Sequence, residues 1–221
     1  MELEKTLQER FSCRRFLDRP VSLEQVRAIA SLAQRVPSWG NTQPWKLYAV
    51  AGDKARAIRE NLVTALQAGG PQSPDMAMPT SFEGELMDRY RDLGRAMFKV
   101  LGIGRDDHNK RAAHYANNFD GFGAPCLLYV TVPKGQTNYV VLDAGAYVTG
   151  LCLAATSLGL ATCALAALAR FPEEVRKVVP IPTSEAILVG VALGYADTEA
   201  PAYRFRSERL PLEQVLTSFD L

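Results

Sequence analysis

Arginine side chains close to both ends of the chain form the first candidate binding site. Arg10 and Arg14 share a face whether the backbone is helical or extended, because a separation of four suits both periods, and Ser12 joins them only if the segment is extended. Arg206 and Arg209 form a second basic group near the C-terminus. Guanidinium groups with a hydroxyl suit a phosphate, since Arg offers planar, permanently charged donors. The residue types therefore indicate an anion site.

These spacings support a second interpretation equally well. The same arginines could form a solvated face with surface ion pairs to Asp18 and Glu208. The net charge is only +1, from 25 basic and 24 acidic residues, and no nucleic-acid-reading module is present. We therefore expect neither nucleic acid nor an anionic membrane as a partner.

The segment "PSWGNTQPWKLYAV", from Pro37 to Val50, is the second candidate site. Turn formation explains its Pro, Gly and Asn residues. It does not explain two tryptophans, Trp39 and Trp45, next to several amide side chains. This composition indicates a surface for a flat ligand with polar edges.

Metal and acid–base sites have little support in the sequence. The four cysteines form no C-x-x-C pair, and the only histidines are His108 and His114, so we expect reduced thiols and no metal site. We expect His108 to be solvated and His114 to be structural, and we assign no side-chain nucleophile. The start "MELEKTLQERF" is not a secretory signal, which favours a cytoplasmic protein.

The elements that must position these residues follow an α+β pattern in one domain, residues 1–221. A capping box at Ser22 and Gln25 starts one helix, and the Gly- and Pro-rich segment from Ala68 to Ser81 is interpreted as a mobile loop or lid. Further helices are predicted over 2–11, 53–67, 82–101, 106–118 and 171–179, and strands over 46–52, 124–132 and 186–194.

Residues Tyr139 to Leu160 form the most apolar segment. Its length alone would suit a membrane span, but Asp143 and many small residues favour a helix in a core or a subunit interface.

The sequence resembles the nitroreductase family of FMN-dependent oxidoreductases. The resemblance lies in segments that occur in the family's order along nearly the whole chain: "RFSCRRF" (Arg10 to Phe16), "PSWGNTQPWKLYAV", "NNFDGFGAPCLLYVTV" (Asn117 to Val132), "AATSLGLATC" (Ala154 to Cys163), "LGYAD" (Leu193 to Asp197) and "RFRSERLPLEQV" (Arg204 to Val215). It implies a central, mostly antiparallel sheet flanked by helices in an intertwined homodimer, with FMN at the interface and Tyr139 to Leu160 as the dimer helix.

The resemblance also implies roles for individual residues. Residues expected at the FMN phosphate and ribityl chain are Arg10, Ser12, Arg14, Arg206 and Arg209. Residues expected to reach the flavin from the other subunit are Pro37, Ser38, Trp39 and Asn41, with Gln43 and Trp45 as supports. Backbone along the flavin edge is expected from Ala164, Leu165 and Ala166, in a loop from Cys163 to Arg170. Asn117 or Asn118 would meet the flavin pyrimidine, with a helix C-cap as the alternative for either.

The sequence departs from the family at a few positions. Phe11 stands where relatives often carry a basic or polar residue, no lysine matches the one that some relatives use near the pyrimidine, and the loop after Cys163 lacks a common glycine. These differences bear on redox potential and substrate preference.

The activity implied by the resemblance is ping-pong turnover in which NADH or NADPH reduces the flavin and a nitroaromatic or quinone-like acceptor reoxidises it. Phe82, Tyr90, Met97 and Phe98 are candidates for the acceptor pocket, with core packing as the alternative for each. Three other interpretations stay open: a reductive dehalogenase, a flavin-consuming member of the superfamily, and a non-catalytic FMN-binding protein.

Overall fold

The computed structural model describes residues 2–220. Its α-helices are α1 (Leu3–Glu9), α2 (Leu23–Ala33), α3 (Gly52–Gln67), α4 (Gly84–Val100), α5 (His108–Ala116), α6 (Asn138–Ser157) and α7 (Pro172–Arg176). Its strands are β1 (Lys46–Ala51), β2 (Cys126–Pro133), β3 (Ala161–Leu165) and β4 (Glu185–Gly194). Single 3₁₀ turns lie at Trp39–Asn41, Gly121–Gly123, Ala166–Ala169, Pro201–Arg204 and Leu212–Gln214. The expected α+β class is confirmed.

The strands form one antiparallel sheet in the order β1-β2-β4-β3. Every residue of β2 except Pro133 is buried, because helices cover both faces of the sheet. Leu127 and Tyr129 pack with α3 on one face, whereas Leu128 and Val130 pack with α2 and α6 on the other. The alternation of side chains along β2 therefore divides the core into two layers.

Helix α2 begins at the predicted capping box. The Gln25 N–H donates to Ser22 Oγ at 3.2 Å, and the Ser22 N–H donates to Gln25 Oε1 at 3.0 Å. The helix packs closely on α6 at Gly150, where a Cβ atom would lie 2.9 Å from Val36 Cγ1 and 3.3 Å from Ala33 Cα. Small residues in α6 thus permit a tight contact with α2, which supports the prediction that this segment is a core helix.

Helix α6 ends at Ser157 rather than at Leu160. Gly159 adopts a φ of +76°, its N–H donates to the Thr156 carbonyl, and the Leu160 N–H donates to the Ala155 carbonyl. These two bonds form a Schellman motif, which satisfies the last carbonyls of the helix and turns the chain toward β3.

The prediction of a loop from Cys163 to Arg170 is wrong in its first part, because residues 163–165 belong to strand β3. This strand has five residues, three of which are Cys or Ala, and Thr162 is its one β-branched residue, so its composition gives only a weak strand signal. Pairing with the longer β4 creates it, and that partner lies more than twenty residues further along the chain.

Helix α1 is shorter than predicted, and its apolar residues are exposed. Leu3, Leu7 and Phe11 recur at a spacing of four and predict one helix over residues 2–11, yet α1 ends at Glu9 and Thr6 is its buried residue. Leu3 and Leu7 are 69% and 52% exposed. The stripe exists, but it points away from the chain's own core.

The segment from Ala68 to Ser81 is irregular, as predicted, but it is fixed to the fold near its centre. Asp75 Oδ2 accepts hydrogen bonds from Arg176 Nη2 at 2.7 Å and from the Ile187 N–H at 3.0 Å, and Lys134 Nζ lies 2.7 Å from Asp75 Oδ1. Burial opposes the charge of Asp75, but these contacts outweigh it and hold the pKa of the carboxyl below its usual value. We call Asp75, Lys134 and Arg176 the Asp75 cluster.

A second buried carboxylate lies where β4 begins. Glu185 accepts from Lys46 Nζ at 2.5 Å, from the Tyr48 hydroxyl at 2.9 Å and from the Thr131 hydroxyl at 2.7 Å. Burial raises the pKa of Glu185, but these hydrogen bonds outweigh burial and lower it overall. The contacts join β1, β2 and β4 at one end of the sheet.

Candidate functional site

The chain from Arg10 to Arg14 is extended and lies along the outer edge of β3. Ser12 forms a bridge with Thr162, and the Cys13 N–H donates to the Thr162 carbonyl at 2.8 Å. Extended backbone is the condition under which Ser12 shares a face with Arg10 and Arg14. The structure therefore places these three predicted residues on one side of the segment.

Buried thiols behind this segment show how its arginines are distributed. Burial raises the pKa of Cys13 to about 11, and the charges of Arg14 and Arg206 oppose the rise. Burial also raises the pKa of Cys152, and a hydrogen bond with Thr162 and the charge of Arg10 oppose it. Arg10, Arg14 and Arg206 thus lie close enough to these thiols for their charges to act on them, and we call the three residues the arginine cluster.

Arg206 joins the cluster from the C-terminal segment. The Pro201–Arg204 turn brings Tyr203 against Phe11, with ring centroids 5.4 Å apart and planes at 84°. The Arg206 guanidinium lies over the Phe11 ring, 3.9 Å from its centroid. Phe205, which follows the turn, faces Arg14 at 5.9 Å. The two basic groups at opposite ends of the sequence therefore meet in space.

Among the described residues, no carboxylate forms an ion pair with the arginine cluster, and Asp197, which also acts on the Cys13 thiol, lies 4.0 Å from Arg15 instead. Among residues 2–220, neither Arg10 nor Arg14 nor Arg206 has an acidic side chain within 4.0 Å. The interpretation of this face as surface ion pairs to Asp18 and Glu208 is wrong for the described residues. Like charges gathered without counter-charges destabilise a fold, so this donor set fits an anionic ligand such as a phosphate ester.

Arg209 is the exception among the predicted phosphate ligands. Its Nη1 donates to the Ser207 hydroxyl at 2.8 Å and to the carbonyls of Ser207 and Glu208. These are contacts within its own exposed turn, and none of them joins Arg209 to the arginine cluster.

Strand β3 presents open backbone next to the cluster. The Thr162 carbonyl points outward to Cys13, so by the alternation of strand groups the N–H of Ala164 also points to this outer edge. Ala164 and Ala166 are exposed, although Leu165 between them is buried. The three predicted residues thus give a flat strip of backbone that a planar ligand could contact.

Gly190 allows the chain after β3 to lie close to the sheet. A Cβ atom at this position would be 2.5 Å from Leu168 Cβ, inside contact distance. The absent side chain lets the Ala166–Ala169 turn rest on β4. This close packing fixes the position of the exposed strip.

The two asparagines after α5 have different environments. Asn118 Nδ2 donates to the carbonyls of His114 and Tyr115 at 3.2 and 3.0 Å, which is the C-cap alternative. Asn117 is exposed. Burial and the charge of Arg14 both lower the pKa of His114, so the end of α5 lies near the arginine cluster. Asn117 is the C-cap residue of α5, and its side chain is exposed.

The loop before β1 is held by α6, not by the arginine cluster. The Trp39 N–H donates to Asp143 Oδ2 at 3.0 Å, and the Trp39 ring lies 4.6 Å from that of Tyr139. Trp39 is 65% exposed. Asn41 and Gln43 adopt left-handed φ values of 58° and 44°. This backbone conformation costs free energy, which hydrogen bonds of the loop's side chains offset.

Gln43 and Trp45 support this loop as predicted. The Gln43 N–H donates to Ser38 Oγ at 3.0 Å, and Gln43 Nε2 donates to Asn41 Oδ1 at 3.1 Å. Trp45 is buried and stacks on Tyr147, with centroids 4.8 Å apart and planes at 7°. Core packing is thus confirmed for Trp45.

The two predicted parts of the site lie at different ends of α6. The loop contacts Tyr139 and Asp143, whereas the arginine cluster surrounds Cys152 and Thr162. Cys152 lies nine positions after Asp143 in α6, which corresponds to about 13 Å along the helix axis. Within one chain the structure does not bring Pro37, Ser38, Trp39 and Asn41 to the arginine cluster.

The aromatic residues considered for the acceptor pocket divide into two pairs. Met97 is buried. The centroids of the Phe98 and His114 rings are 5.6 Å apart, and the Arg111 guanidinium lies 4.2 Å from the Phe98 centroid. Phe82 and Tyr90 pack on each other at 5.7 Å and are both exposed. The second pair is available to line a pocket.

Sequence reasoning missed Phe11 and Tyr203 as parts of the site. Phe11 appears in the motif only as a departure from the pattern, and Tyr203 had no role. The signal that could have found them is the recurrence of Arg next to aromatic residues in "RFSCRRF" and "YRFR". Arg stacks on aromatic faces, but which ring it meets depends on the fold.

Comparison with known proteins identifies relatives of the whole chain. Residues 7–195 match the family model described as the nitroreductase family. A 4-nitrobenzoate reductase of Nocardioides sp. (strain LMS-CY) is 32% identical over 212 residues, which cover 94% of this chain and 86% of the relative. Nitroreductase NfnB of Mycolicibacterium smegmatis is 31% identical over 212 residues, covering 96% and 90%.

Solved structures similar to this chain are also nitroreductases. The FMN and NADPH-dependent nitroreductase NfnB of Sphigopyxis sp. strain HMH is 30% identical and superposes with a TM-score of 0.95 over 100% of both chains. The FMN-dependent NfnB from Mycobacterium smegmatis, solved in complex with NADPH, is 30% identical with a TM-score of 0.92, covering 99% of this chain and 97% of that one.

Proposed function

The chain belongs to the nitroreductase family, and from this premise we propose that it is an FMN-dependent oxidoreductase that uses NAD(P)H to reduce nitroaromatic compounds. One observation carries the proposal. Three arginines, none with an ion pair among residues 2–220, lie near an exposed strip of strand backbone, which matches an anionic group joined to a flat ring.

The residues present fit FMN. The arginine cluster with the Ser12 hydroxyl would hold the phosphate, because guanidinium groups bind phosphate oxygens with charge-assisted hydrogen bonds. The outward N–H of Ala164 and the small side chains of Ala164 and Ala166 would meet the ring system without obstructing it. Asn117 offers a further amide group for a polar ring edge.

FMN bound in this way would supply the redox chemistry, taking a hydride from NAD(P)H and passing reducing equivalents to the acceptor. The chain's own contribution is binding and electrostatics. The arginine cluster and the Ala164 N–H place positive charge and a donor beside the ligand, which favours a negatively charged state of it. No side chain is required as a nucleophile.

We infer that a second copy of the chain completes the site. The loop from Pro37 to Asn41 lies about 13 Å along α6 from the arginine cluster, so it reaches a cluster only if another chain supplies that cluster. A two-fold axis across α6 would bring one end of this helix next to the opposite end of its copy. The loop of one chain would then approach the cluster of the other.

Exposed apolar surface supports the same inference. On α6 the exposed residues Tyr139, Leu142, Gly145 and Thr149 recur at helical spacing and form one stripe, with Leu142 65% exposed. The outward stripe of α1 adds Leu3 and Leu7. Soluble monomers seldom leave such surface open, and Gly145 would let a second helix approach closely.

The C-terminal segment after Phe205 has the character of an arm that crosses to the second copy. Its apolar side chains are exposed: Leu210, Leu212, Val215, Leu216 and Phe219. The outer edge of β1 is free of strand partners among residues 2–220, and a groove of about 560 Å³ lies beside it, between α2 and β1. This groove, lined by Val26, Ala30 and Leu47, is the expected seat of the partner's arm.

Several finer features belong to the same proposal. The nitro group is favoured over a halogen as the group reduced, because the relatives named above are nitroreductases. NADPH is the first donor to test, since two structural relatives are described with it. The packing of α6 against α2 and the sheet supports a soluble protein, for which we propose the cytoplasm as the location.

Visible spectroscopy tests the function directly. The purified protein, loaded with FMN, is mixed with NADPH or NADH without oxygen and then with 4-nitrobenzoate or a quinone. We expect the flavin absorbance to bleach with the nicotinamide and to return with the nitro compound. A protein that takes up no FMN contradicts the proposal, and one that bleaches but recovers with no nitro compound contradicts the substrate assignment.

Sedimentation tests the second copy. Leu142→Asp places a charge on the exposed α6 stripe, so we expect the wild-type dimer to become a monomer and FMN affinity to fall with it. Leu23→Asp, on the exposed face of α2 (Leu23 is 62% exposed), is the control and should leave both unchanged. A wild-type protein that is monomeric with FMN bound would contradict the inference.

A further inference from the structure

One face of α6 carries three side chains that all contact the loop before β1. Tyr139, Asp143 and Tyr147 recur at a spacing of four, which places them one above another on the helix. The Trp39 ring lies 4.6 Å from that of Tyr139, and the Trp39 N–H donates to Asp143 Oδ2 at 3.0 Å. Trp45, at the other end of the loop, stacks on Tyr147 with centroids 4.8 Å apart. The loop therefore lies along this face of the helix and contacts it at three successive turns.

Asp143 is the central contact on this face, and it is an unexpected residue for a buried position. It is the one charged residue of α6 and is 8% exposed. None of the ion pairs among residues 2–220 includes it. Burying a carboxylate without a cation costs free energy, and an apolar side chain of similar size would avoid that cost. The hydrogen bond from the Trp39 N–H is the one that its side chain accepts among the described residues.

The loop needs this support because its own backbone conformation is unfavourable. Asn41 and Gln43 have left-handed φ values, which other contacts must hold in place. Ser38 Oγ accepts from the Gln43 N–H, and the Ser38 carbonyl accepts from the Asn41 N–H, so these bonds close the loop on itself. In the described part of the chain, the bond from Trp39 to Asp143 is the hydrogen bond that joins the loop to another element.

We propose that Asp143 is a positioning residue, which holds this loop where the loop of one chain completes the FMN site of the other chain. The proposal rests on the function and the second copy proposed above. A loop that is fixed before the ligand arrives loses less conformational freedom on binding, so the bond raises FMN affinity although the carboxylate does not contact FMN. Leu142, the neighbour of Asp143 in sequence, is exposed on the stripe proposed to meet the second copy. One turn of α6 thus faces both the second copy and the loop.

The dissociation constant of FMN, measured from flavin fluorescence on dimers verified by sedimentation, tests this role. Asp143→Leu removes the acceptor and should weaken FMN binding roughly tenfold, the loss expected for a hydrogen bond to a charged group. Asp143→Asn keeps an oxygen acceptor without the charge and should weaken binding only roughly threefold. Glu185→Gln neutralises a buried carboxylate that bonds to the strands and not to the loop, so this matched control should leave FMN affinity unchanged.

Two results of this series would overturn the proposal. Equal losses in the Asn and Leu variants would show that the oxygen acceptor does not position the loop. An Asp143→Leu protein that is monomeric would show that the residue acts on assembly instead. If the Leu variant does not fold, the Asn variant decides alone, because wild-type affinity in that variant refutes the role of the charged acceptor.

A mixed dimer decides whether Asp143 acts on the site of the partner chain. Chains that carry Asp143→Leu or Arg10→Gln are co-expressed with different affinity tags, and the dimer with one chain of each kind is isolated. If each loop serves the other chain's site, both changes fall on one site and the second site keeps its wild-type residues. Half of the FMN should then bind with wild-type affinity. Two weakened sites would show that Asp143 acts within its own chain and would overturn the proposal.

Failure of the proposed function gives a different result from failure of this inference. A wild-type protein that binds no FMN refutes the function, and one that binds FMN as a monomer refutes the second copy. A wild-type dimer that binds FMN, with no loss of affinity in Asp143→Leu, overturns the role of Asp143 alone.

Discussion

The Asp75 cluster and the arginine cluster each gather charged side chains from distant parts of the chain, but only the first contains both signs. Arg176 and Asp75 are 8% and 7% exposed and form direct hydrogen bonds, with Lys134 completing the set. The arginine cluster has three cations, and none of them has a carboxylate within 4.0 Å among the described residues; the nearby Asp197 lies beside Arg15. Paired buried charges fix a loop in place, whereas unpaired cations maintain a surface that a ligand can neutralise.

The largest expected effect comes from breaking the paired cluster. Asp75→Asn removes the charge that Arg176 and Lys134 surround, and an uncompensated buried cation is costly. We expect the free energy of unfolding to fall by about 3 kcal/mol, measured by urea denaturation. Asp53→Asn is the matched control, because Asp53 is 95% exposed and its contact with Arg56 is a surface pair worth well under about 1 kcal/mol. Equal effects from both substitutions would refute the structural role of Asp75.

Acid should act on the same cluster. The pKa of Asp75 is lower in the folded chain than its usual value, so its stabilisation is complete above the unfolded pKa of about 3.9 and is lost as the pH falls through the folded pKa. Urea denaturation between neutral pH and pH 3 should show the loss, and Asp75→Asn should flatten the curve. A curve of the same shape in the variant would assign the acid sensitivity to other carboxyls.

A substitution in the arginine cluster should reverse this pattern, with a large effect on binding and little on stability. Arg10 forms no ion pair among the described residues, so Arg10→Gln should change the free energy of unfolding by less than about 0.5 kcal/mol. FMN affinity should fall roughly tenfold and should depend less on salt. Lys54→Gln removes the same charge at an exposed position of α3 and should leave FMN affinity unchanged. A variant that is destabilised without loss of affinity would erase the contrast between the clusters.

The smallest expected effect comes from Tyr129 of β2, in the core beneath α3. Tyr129 is fully buried and its hydroxyl has no hydrogen-bond partner among the described residues, and burial raises its pKa far above the usual value. Tyr129→Phe removes that unsatisfied group, so stability should rise by about 1 kcal/mol in urea denaturation. A loss of stability would mean that the hydroxyl is bonded in solution, for example to a buried water molecule.

Local patterns predicted the local structure well. The capping box of α2, the buried strand β2 and the apolar helix α6 follow from neighbours in the sequence and are present in the fold. Strand β3 could not be predicted in this way, because pairing with β4 rather than its own composition makes it a strand. The end of α1 was misplaced, because the apolar spacing continues to Phe11 although the backbone is extended from Arg10 onward.

The candidate site likewise has parts that the sequence predicts and parts that depend on contacts between distant residues. Residue types and spacing predicted Arg10, Ser12 and Arg14 as one of two possible sites, an anion site or a solvated face, and resemblance to the family predicted the loop from Pro37 to Asn41 as the second part of the site. The contact between Phe11 and Arg206 joins positions 195 residues apart, and no periodicity in the sequence encodes such a meeting. Only the fold shows which ring supports which arginine.

The reactivity of the four cysteines can report local opening of the folded chain. All four are free and buried, and burial raises the pKa of Cys13 to about 11 and that of Cys163 to about 12. An alkylating reagent needs an accessible thiolate, so the native protein should react only when the segment next to β3 opens. Because the arginine cluster lies near two of these thiols, a bound phosphate ligand should slow the labelling of Cys13 and Cys152 more than that of Cys126, which lies two strands further into the sheet in β2. The rate of alkylation would then measure how tightly the ligand closes its own site.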